Sequence, residues 1–463
     1  MSETPQARPA QTLAEAYDAL LSRWPETRLE PSLDRIAAFC ELLGDPQRSA
    51  PVVHLTGTNG KTSTARMVDD LLRASGLRTG RFTSPHVESV TERISIDGEP
   101  LDDDAFVRVF NDVAPYTHLV DADAEHPLSF FETVVGMAFA AFADAPVDAL
   151  VLEVGMGGSW DATNVADADV AVVLPISLDH QQYLGDTVVD IAREKAGIVK
   201  PGSVLVSAAQ PTDVAAVLAD RVAEVGATAV VEDVDFGVVH RLPAVGGQEV
   251  TLRGLHATYA ELFMPLYGEH QARNAAVAVA AVESLLGRAL DDELVREVVA
   301  GLTSPGRLEI VRRSPTVVLD AAHNRAGAAA TAAAIADSFT FSPLIGVVSV
   351  MADKDVEGVL GELEPHLAHV IATRASTERA MDAETLADQA REIFGDTRVS
   401  VAERLPEAID QAAALAEAGE AFGDALGSGA VLVTGSVVTV GEARALLARR
   451  GGRRPEQERE EES

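Results

Sequence analysis

The chain has 463 residues and sets 37 Lys and Arg against 72 Asp and Glu, a formal net charge of −35. That balance excludes a free-standing nucleic-acid binder, which needs a basic footprint. A hydrophobic fraction of 47% with 24% charged residues excludes a disordered chain, and the single cysteine, Cys40, excludes an internal disulfide or a cysteine-based metal cluster.

At roughly 100–200 residues per domain, the length asks for more than one domain. Met1–Pro9 carries Glu3 and no apolar core, so no secretory signal is expected and the chain reads as cytoplasmic. The first predicted strand is Val52–Thr56, followed by an amphipathic helix over Lys61–Ser75. There Met67/Val68 and Leu71/Leu72 recur four apart, and Gly76 is the stop. The longest apolar run, Val134–Ala143, ends at Asp144, short of the roughly 18–20 residues of a membrane span, and reads as a buried helix. Strands are predicted at Ala149–Val154, Val170–Ile176 and Val204–Ser207. Gly237–Leu262 reads as β-rich irregular structure, and Asn274–Leu286 as an Ala-rich helix.

The turn-forming cluster Thr303-Ser304-Pro305-Gly306 marks a boundary. After it come strands at Val317–Leu319, Leu344–Val350, Val370–Ala372 and Val431–Thr434, with a helix over Gly327–Ala336. The strands are almost continuously apolar, as strands buried on both faces of a parallel sheet are. With helices between them and no fixed repeat, they predict a doubly wound α/β fold. The expected division is a P-loop domain over residues 1–302, a smaller Rossmann-like α/β domain over 303–448, and a disordered charged tail over 449–463.

The strongest chemical signal is Thr56-Gly57-Thr58-Asn59-Gly60-Lys61-Thr62-Ser63, after a strand and opening a helix. Glycines let backbone N–H groups approach phosphate oxygens, the helix N-terminus adds a favourable field, and Lys61 reaches the terminal phosphates. Thr62 supplies the hydroxyl that such loops place on Mg²⁺. The first glycine of a standard P-loop would fall at Leu55, and Gly57 serves instead. Glu153 ends one strand and Asp179-His180 follow another, where ligands of open α/β sheets sit. Each taken alone could equally be a helix cap or a solvated end. Asp320, in Asp320-Ala321-Ala322-His323-Asn324, could take ribose hydroxyls or an amine, or form an Asx turn that caps the next helix. Glu269–Asn274 reads locally as a polar helix start.

Taken in order, these stretches resemble the Mur-ligase superfamily and, within it, the folylpolyglutamate synthase/dihydrofolate synthase branch, from about Leu29 to Arg444. The motifs carrying the resemblance include Thr83-Ser84-Pro85-His86, Thr91-Glu92-Arg93-Ile94, Phe130-Phe131-Glu132, Glu153–Gly158, Asp161-Ala162-Thr163-Asn164 and Leu178-Asp179-His180. Arg193–Ile198, Pro305-Gly306-Arg307, Asp320–Asn324, Asp353-Lys354-Asp355 and Gly435-Ser436 continue it. The resemblance implies that Thr58, Asn59, Gly60, Lys61 and Thr62 hold the ATP phosphates. Asn274, Arg307 and Asp320 would contact the nucleotide, with His323 beside them as a further catalytic residue. Ser84, Glu153 and His180 would hold a first Mg²⁺, although imidazole is an unusual ligand for so hard a cation. Lys195 would be carbamylated and serve a second Mg²⁺; the plainer alternative is an ion pair with substrate or phosphate. Phe131, Glu132 and Asp161 match the pterin wall, and Ser32 lies in a looser match to a second pteroate-binding loop. Ser159-Trp160 stand where many relatives have Arg-Leu, and Trp160 could stack on the pterin or fill the wall.

The implied reaction is ATP-dependent addition of L-glutamate to dihydropteroate or a reduced folate through an acyl phosphate. It implies closure before chemistry to keep water out. The expected partners are these small molecules, with no nucleic acid and no membrane, and a monomer is expected. A muramoyl-peptide ligase would share the loop and the chemistry but needs a nucleotide-sugar domain ahead of it, and 56 residues precede Gly57. A P-loop switch protein would leave Arg307 and Asp320–Asn324 without a role. With every proposed substrate anionic, the site has to be a positive island in an acidic molecule.

Overall fold

A computed structural model describes residues 9–24, 31–418 and 428–452; the side chains of residues 450–452 are not described. It divides into two compact units. One comprises the residues up to His240 with Thr251–Leu262 and Arg273–Ala300. The other comprises Arg241–Val250, Phe263–Ala272 and the chain from Gly301 onward.

The first unit is built on eight strands: β1 (Val52–Thr56), β2 (Thr79–Phe82), β3 (Ile94–Ile96), β4 (Glu99–Pro100), β5 (Ala149–Glu153), β6 (Val170–Val173), β7 (Val204–Ser207) and β8 (Thr228–Val231). Their order is β4-β3-β2-β5-β1-β6-β7-β8. β1 lies between β5 and β6 and runs parallel to both, so Leu55 pairs with Glu153 and Thr56 with Val173. The chain leaves β1 toward one side of the sheet and later returns to the other. The crevice of a doubly wound fold therefore opens at the carboxyl ends of these central strands. A core that includes Phe39, Phe106, Phe139 and Phe142 takes in Phe82, Leu150 and Leu152 from one face of the sheet, and farther along the same face Ala171 and Leu205 pack with Ile191 and Ile198. The other face presents the buried Val53, Leu55, Val151 and Val172.

Three further strands, β9 (Gly237–Ala244), β10 (Gly247–Arg253) and β11 (Thr258–Met264), form a sheet of order β11-β10-β9. The second unit's sheet has β12 (Glu309–Arg313), β13 (Thr316–Asp320), β14 (Phe341–Val348), β15 (His369–Ala372), β16 (Val399–Val401) and β17 (Ser428–Thr434). Its order is β12-β13-β17-β14-β15-β16, parallel throughout except for the antiparallel edge strand β12. Separate clusters cover its two faces.

Several expectations are corrected in detail. The segment 237–262 is ordered sheet rather than irregular. β6 stops at Val173 instead of Ile176, because Leu174 and Pro175 turn to meet the loop after β1: the Leu174 N–H donates to Thr56 O, and the Thr58 N–H to Pro175 O. The Ala-rich helix begins at Glu269, and the next unit's first helix runs Arg325–Ser338. Residues 449–452 end the helix Val437–Gly452 instead of joining a tail, and 453–463 lie outside the described residues. β2 carries no apolar run to signal it. Its Arg81 is buried against the carboxylate of Asp69 at 2.6 Å, which no local pattern announces. No helix among the described residues is long and apolar enough to cross a membrane.

Candidate active site

The loop between β1 and the helix Lys61–Ala74 is shaped by backbone that other residues resist. Gly57 has φ +148°, and a Cβ there would lie 2.6 Å from the Leu174 Cβ; Gly60 has φ +88° and lies so close to Asn274 that a Cβ would meet its Oδ1 at 2.8 Å. Asn274 is thereby placed against the loop. The Thr58 hydroxyl donates to Ser177 O at 3.0 Å, fastening the loop to the segment after β6. The Lys61 ammonium donates to Gly57 O at 3.1 Å and to Thr58 O at 3.3 Å, at the first residue of the helix. Ammonium group, helix N-terminus and glycine backbone thus converge on one spot, an arrangement suited to phosphate.

Glu153, 1% exposed at the end of β5, receives the Thr62 hydroxyl on Oε1 at 2.8 Å and the Ser84 N–H on Oε2 at 3.2 Å. Among the described residues no three His, Cys, Asp or Glu cluster as a metal nest. What the structure does bring together is one carboxylate with the hydroxyl-bearing Thr62 and Ser84. This is a hard-oxygen set that suits Mg²⁺, which keeps several waters and takes one or two carboxylates. His180 caps the short helix Gln181–Leu184 with φ +53°, and its Nε2 lies 3.9 Å from Asp179 Oδ1.

Lys195 ends the helix Val188–Lys195, is buried, and donates from Nζ to Gly57 O at 2.9 Å. It therefore shares one carbonyl with Lys61. Burial first, and then the Lys61 charge, push the Lys195 ammonium down to about 7, against the pull of Asp179, Asp161 and Glu194. A lysine in that range presents a neutral amine to a substantial degree near neutrality, the form that can take up CO₂.

The residues expected to form a pterin wall divide in their behaviour. The Phe131 ring packs edge-on to Phe82 at 5.7 Å and lies against Gly155, where a Cβ would be 2.5 Å from it. Trp160 is partly buried and packs on the core that contains Ile191 and Leu184. The Ser159 hydroxyl donates to Glu194 O, while Glu194 Oε1 accepts from the Gly158 N–H. Glu132 closes a capping box with Ser129 and pairs with Arg35 at 3.0 Å. Ser32 lies just ahead of the helix Asp34–Leu42, and its Oγ accepts from the Asp34 N–H. Asp161 is 3% exposed and accepts from the Met156 N–H, the Thr163 N–H and the Thr163 hydroxyl. Burial outweighs those donors and raises its carboxyl to about 6.

In the second unit the Asp320 oxygens are likewise taken up by donors nearby in the fold. Oδ2 accepts from the Leu308 N–H, and Oδ1 from the Ala322 N–H and the Thr331 hydroxyl. The carboxylate so organises the two turns that carry Arg307 and His323. A carbonyl can only accept, so the 2.9 Å contact to Ala321 O places hydrogen on His323 Nδ1 and leaves Nε2 as the basic nitrogen. Glu194 and Thr163 were not singled out from sequence. Both lie inside quoted motifs, and their nearness to Asp161 and Lys195 was the available signal.

Residues 55–282 match the Mur ligase middle domain, and residues 306–437 match the Mur ligase glutamate ligase domain. The chain is 48% identical to the dihydrofolate synthase/folylpolyglutamate synthase of Mycobacterium tuberculosis over 459 residues, 95% of this chain and 94% of that one. It superposes on the crystal structure of Mycobacterium tuberculosis folylpolyglutamate synthase complexed with ADP and AMPPCP with a TM-score of 0.90, covering 96% of this chain and 99% of the other. For E. coli FolC in complex with DHPP and ADP the TM-score is 0.84 at 29% identity, with coverage of 96% and 100%. Similarity sustained along the whole of both chains identifies this protein as a member of the dihydrofolate synthase/folylpolyglutamate synthase family of Mur ligases.

Proposed function

We propose that the chain transfers the γ-phosphoryl group of ATP to the carboxylate of dihydropteroate or a reduced folate and closes an amide with L-glutamate, releasing ADP and phosphate. The family is one of ATP-dependent ligases that add glutamate to folates, so the proposal concerns which residues act and how. The observation that carries it is the meeting, at the ends of β1 and β5, of Lys61, the Thr62–Glu153–Ser84 group and Lys195. A carboxylate is a poor electrophile, and phosphorylation supplies a leaving group. Lys61 and the loop N–H groups of Thr58–Thr62 would hold the phosphates and neutralise charge on the group in transit. Thr62, Ser84, Glu153 and His180 would hold Mg²⁺, with a second ion at a carbamylated Lys195; when bound, such ions offset phosphoryl charge. Asn274, which lies beside Gly60, would contact the nucleotide, and so would Arg307. Asp320 would act by ordering the turns that carry Arg307 and His323. The Nε2 of His323 suits removal of a proton from the incoming ammonium. Phe131 and Trp160 would supply apolar surface to the pterin, with Ser32, Glu132, Ser159 and Asp161 shaping the loops around it.

The proposal assigns ATP and pteroate binding to residues 1–302 and the glutamate-ligase part to 303–448, in a monomeric cytoplasmic enzyme. A net charge of −35 opposes the approach of anionic substrates, so Lys61, the glycine-loop N–H groups and the helix N-terminus have to provide the local positive field.

Phosphate release is expected to require ATP, Mg²⁺, L-glutamate and either dihydropteroate or tetrahydrofolate together. Release with ATP alone at the same rate would point to a nucleotide switch instead, and comparing the two acceptors reads out bifunctionality. Glu153→Gln is expected to raise the Mg²⁺ concentration for half-maximal turnover by roughly tenfold or more, since it removes the one formal negative charge from the oxygen set. An unchanged Mg²⁺ titration counts against that site.

A further inference from the structure

His54 is a fully buried histidine on β1 that the ligase chemistry leaves unused. Its Nε2 lies 2.8 Å from Thr163 Oγ1, and that hydroxyl lies 2.5 Å from Asp161 Oδ1. The direction of this chain follows from counting hydrogens. An ionised carboxylate only accepts, so the single hydroxyl hydrogen of Thr163 goes to Asp161. The Thr163 oxygen is then an acceptor for His54, which must carry its hydrogen on Nε2. Nδ1 is left as a bare lone pair, and it has no hydrogen-bond partner. Burial, with Lys200 adding to it, keeps the ring neutral.

At its far end the chain reaches the segment after β5. Asp161 Oδ2 accepts from the Met156 N–H at 3.0 Å, and Gly157 O accepts the Thr56 hydroxyl at 2.8 Å. The segment is thus tied twice to β1, directly at Thr56 and through the chain at His54. It also leads from Glu153 to Ser159-Trp160, and its Gly155 lies against the Phe131 ring.

We propose that His54 is a positioning residue which, through Thr163, fixes the Asp161 carboxylate on Met156 and so sets where Gly155–Gly158 hold Phe131 and Trp160 against the acceptor. The proposal rests on the reading that this wall receives the folate or dihydropteroate. Acceptor binding should therefore feel the loss of His54, and ATP binding should not.

The test compares His54→Leu, His54→Gln and Thr163→Val in the full chain by steady-state kinetics, with unfolding temperatures measured alongside. Gln places an N–H near the position of His Nε2, and Leu fills the space without one. His54→Leu and Thr163→Val are each expected to raise KM for the acceptor about tenfold, the scale of losing one buried hydrogen bond, with KM for ATP within twofold of wild type. His54→Gln should recover most of the loss, and the His54→Leu/Thr163→Val double variant should be no worse than either single one. In ¹⁵N-histidine NMR the His54 ring should be neutral, with hydrogen on Nε2, from about pH 7 to 8, where the Asp161 carboxylate is ionised. The proposal is overturned if Gln and Leu behave alike, if both KM values rise together, if Thr163→Val leaves acceptor KM unchanged, or if the ring carries hydrogen on Nδ1. Absence of acceptor-dependent phosphate release in the wild-type protein would instead remove the functional reading beneath it.

Discussion

Lys61→Ala is expected to lower kcat/KM for ATP-driven glutamate ligation by at least about 10²–10³, the scale of removing one preorganised charge from a transferring group. The side chain stands at the first helical position with its ammonium on two loop carbonyls, Gly57 O and Thr58 O, so it is already oriented before phosphate arrives. The fold should hardly notice. Lys61 is partly exposed, and changes at such positions usually stay within about 1 kcal/mol. A second effect follows from the shared carbonyl. Lys61 is the main charge depressing the Lys195 pKa, so its removal lets Lys195 rise and lowers the fraction of neutral amine. Combining Lys61→Ala with a Lys195 substitution should accordingly cost less than the product of the two single effects. Phosphate release and thermal unfolding measured on the same preparations decide it, and near-normal turnover in Lys61→Ala removes the loop from the mechanism.

Lys195→Met is expected to cost activity at least about 100-fold while stabilising the ligand-free protein. The sign follows from proton uptake. The folded-state pKa is about 7, against 10.5 for an unperturbed lysine. Below about pH 7 both folded and unfolded chains carry the proton, and the folded one bears the whole cost of a buried ammonium. Between about 7 and 10.5 the folded protein sheds a proton that the unfolded chain keeps, so stability rises with pH across that window. Methionine removes the titration. Its gain, on the order of 1–3 kcal/mol, should be largest at pH 7 and below and should shrink as pH climbs toward 10. Unfolding in bicarbonate-free buffer at pH 6, 8 and 10 measures it. A variant less stable than wild type at pH 6 would show that the bond to Gly57 O outweighs the burial of charge.

Several carboxylates show where sequence reasoning stops. Asp161, Glu132 and Asp320 lie in family motifs and read as ligand contacts, yet each spends its oxygens on its own surroundings: Met156 and Thr163, Ser129 and Arg35, Leu308 and Thr331. A motif records that a carboxylate is needed at a position. Whether it faces a ligand or holds a turn depends on which N–H groups the fold leaves without partners, and those come from residues distant in sequence. Arg81 is a parallel case, since its burial depends on Asp69, twelve positions away on a packed helix.

Much else was legible locally. The apolar runs marked the central strands β1, β5, β6 and β7 to within a few residues, because strands covered on both faces have no polar side to obscure them. The phosphate loop was legible because its glycines, lysine and threonine act through backbone geometry that those residue types alone permit. The edge strands β8 and β16 and the inner β2 were not, since an edge strand is paired on one side only and β2 carries Gly80 and Arg81 where an apolar run would be. What tertiary structure alone decided is the meeting of Lys61 and Lys195 on one carbonyl and the run of hydrogen bonds from His54 to Met156. These depend on strand order and register, which bring together residues more than a hundred positions apart, and no local preference encodes such a distance.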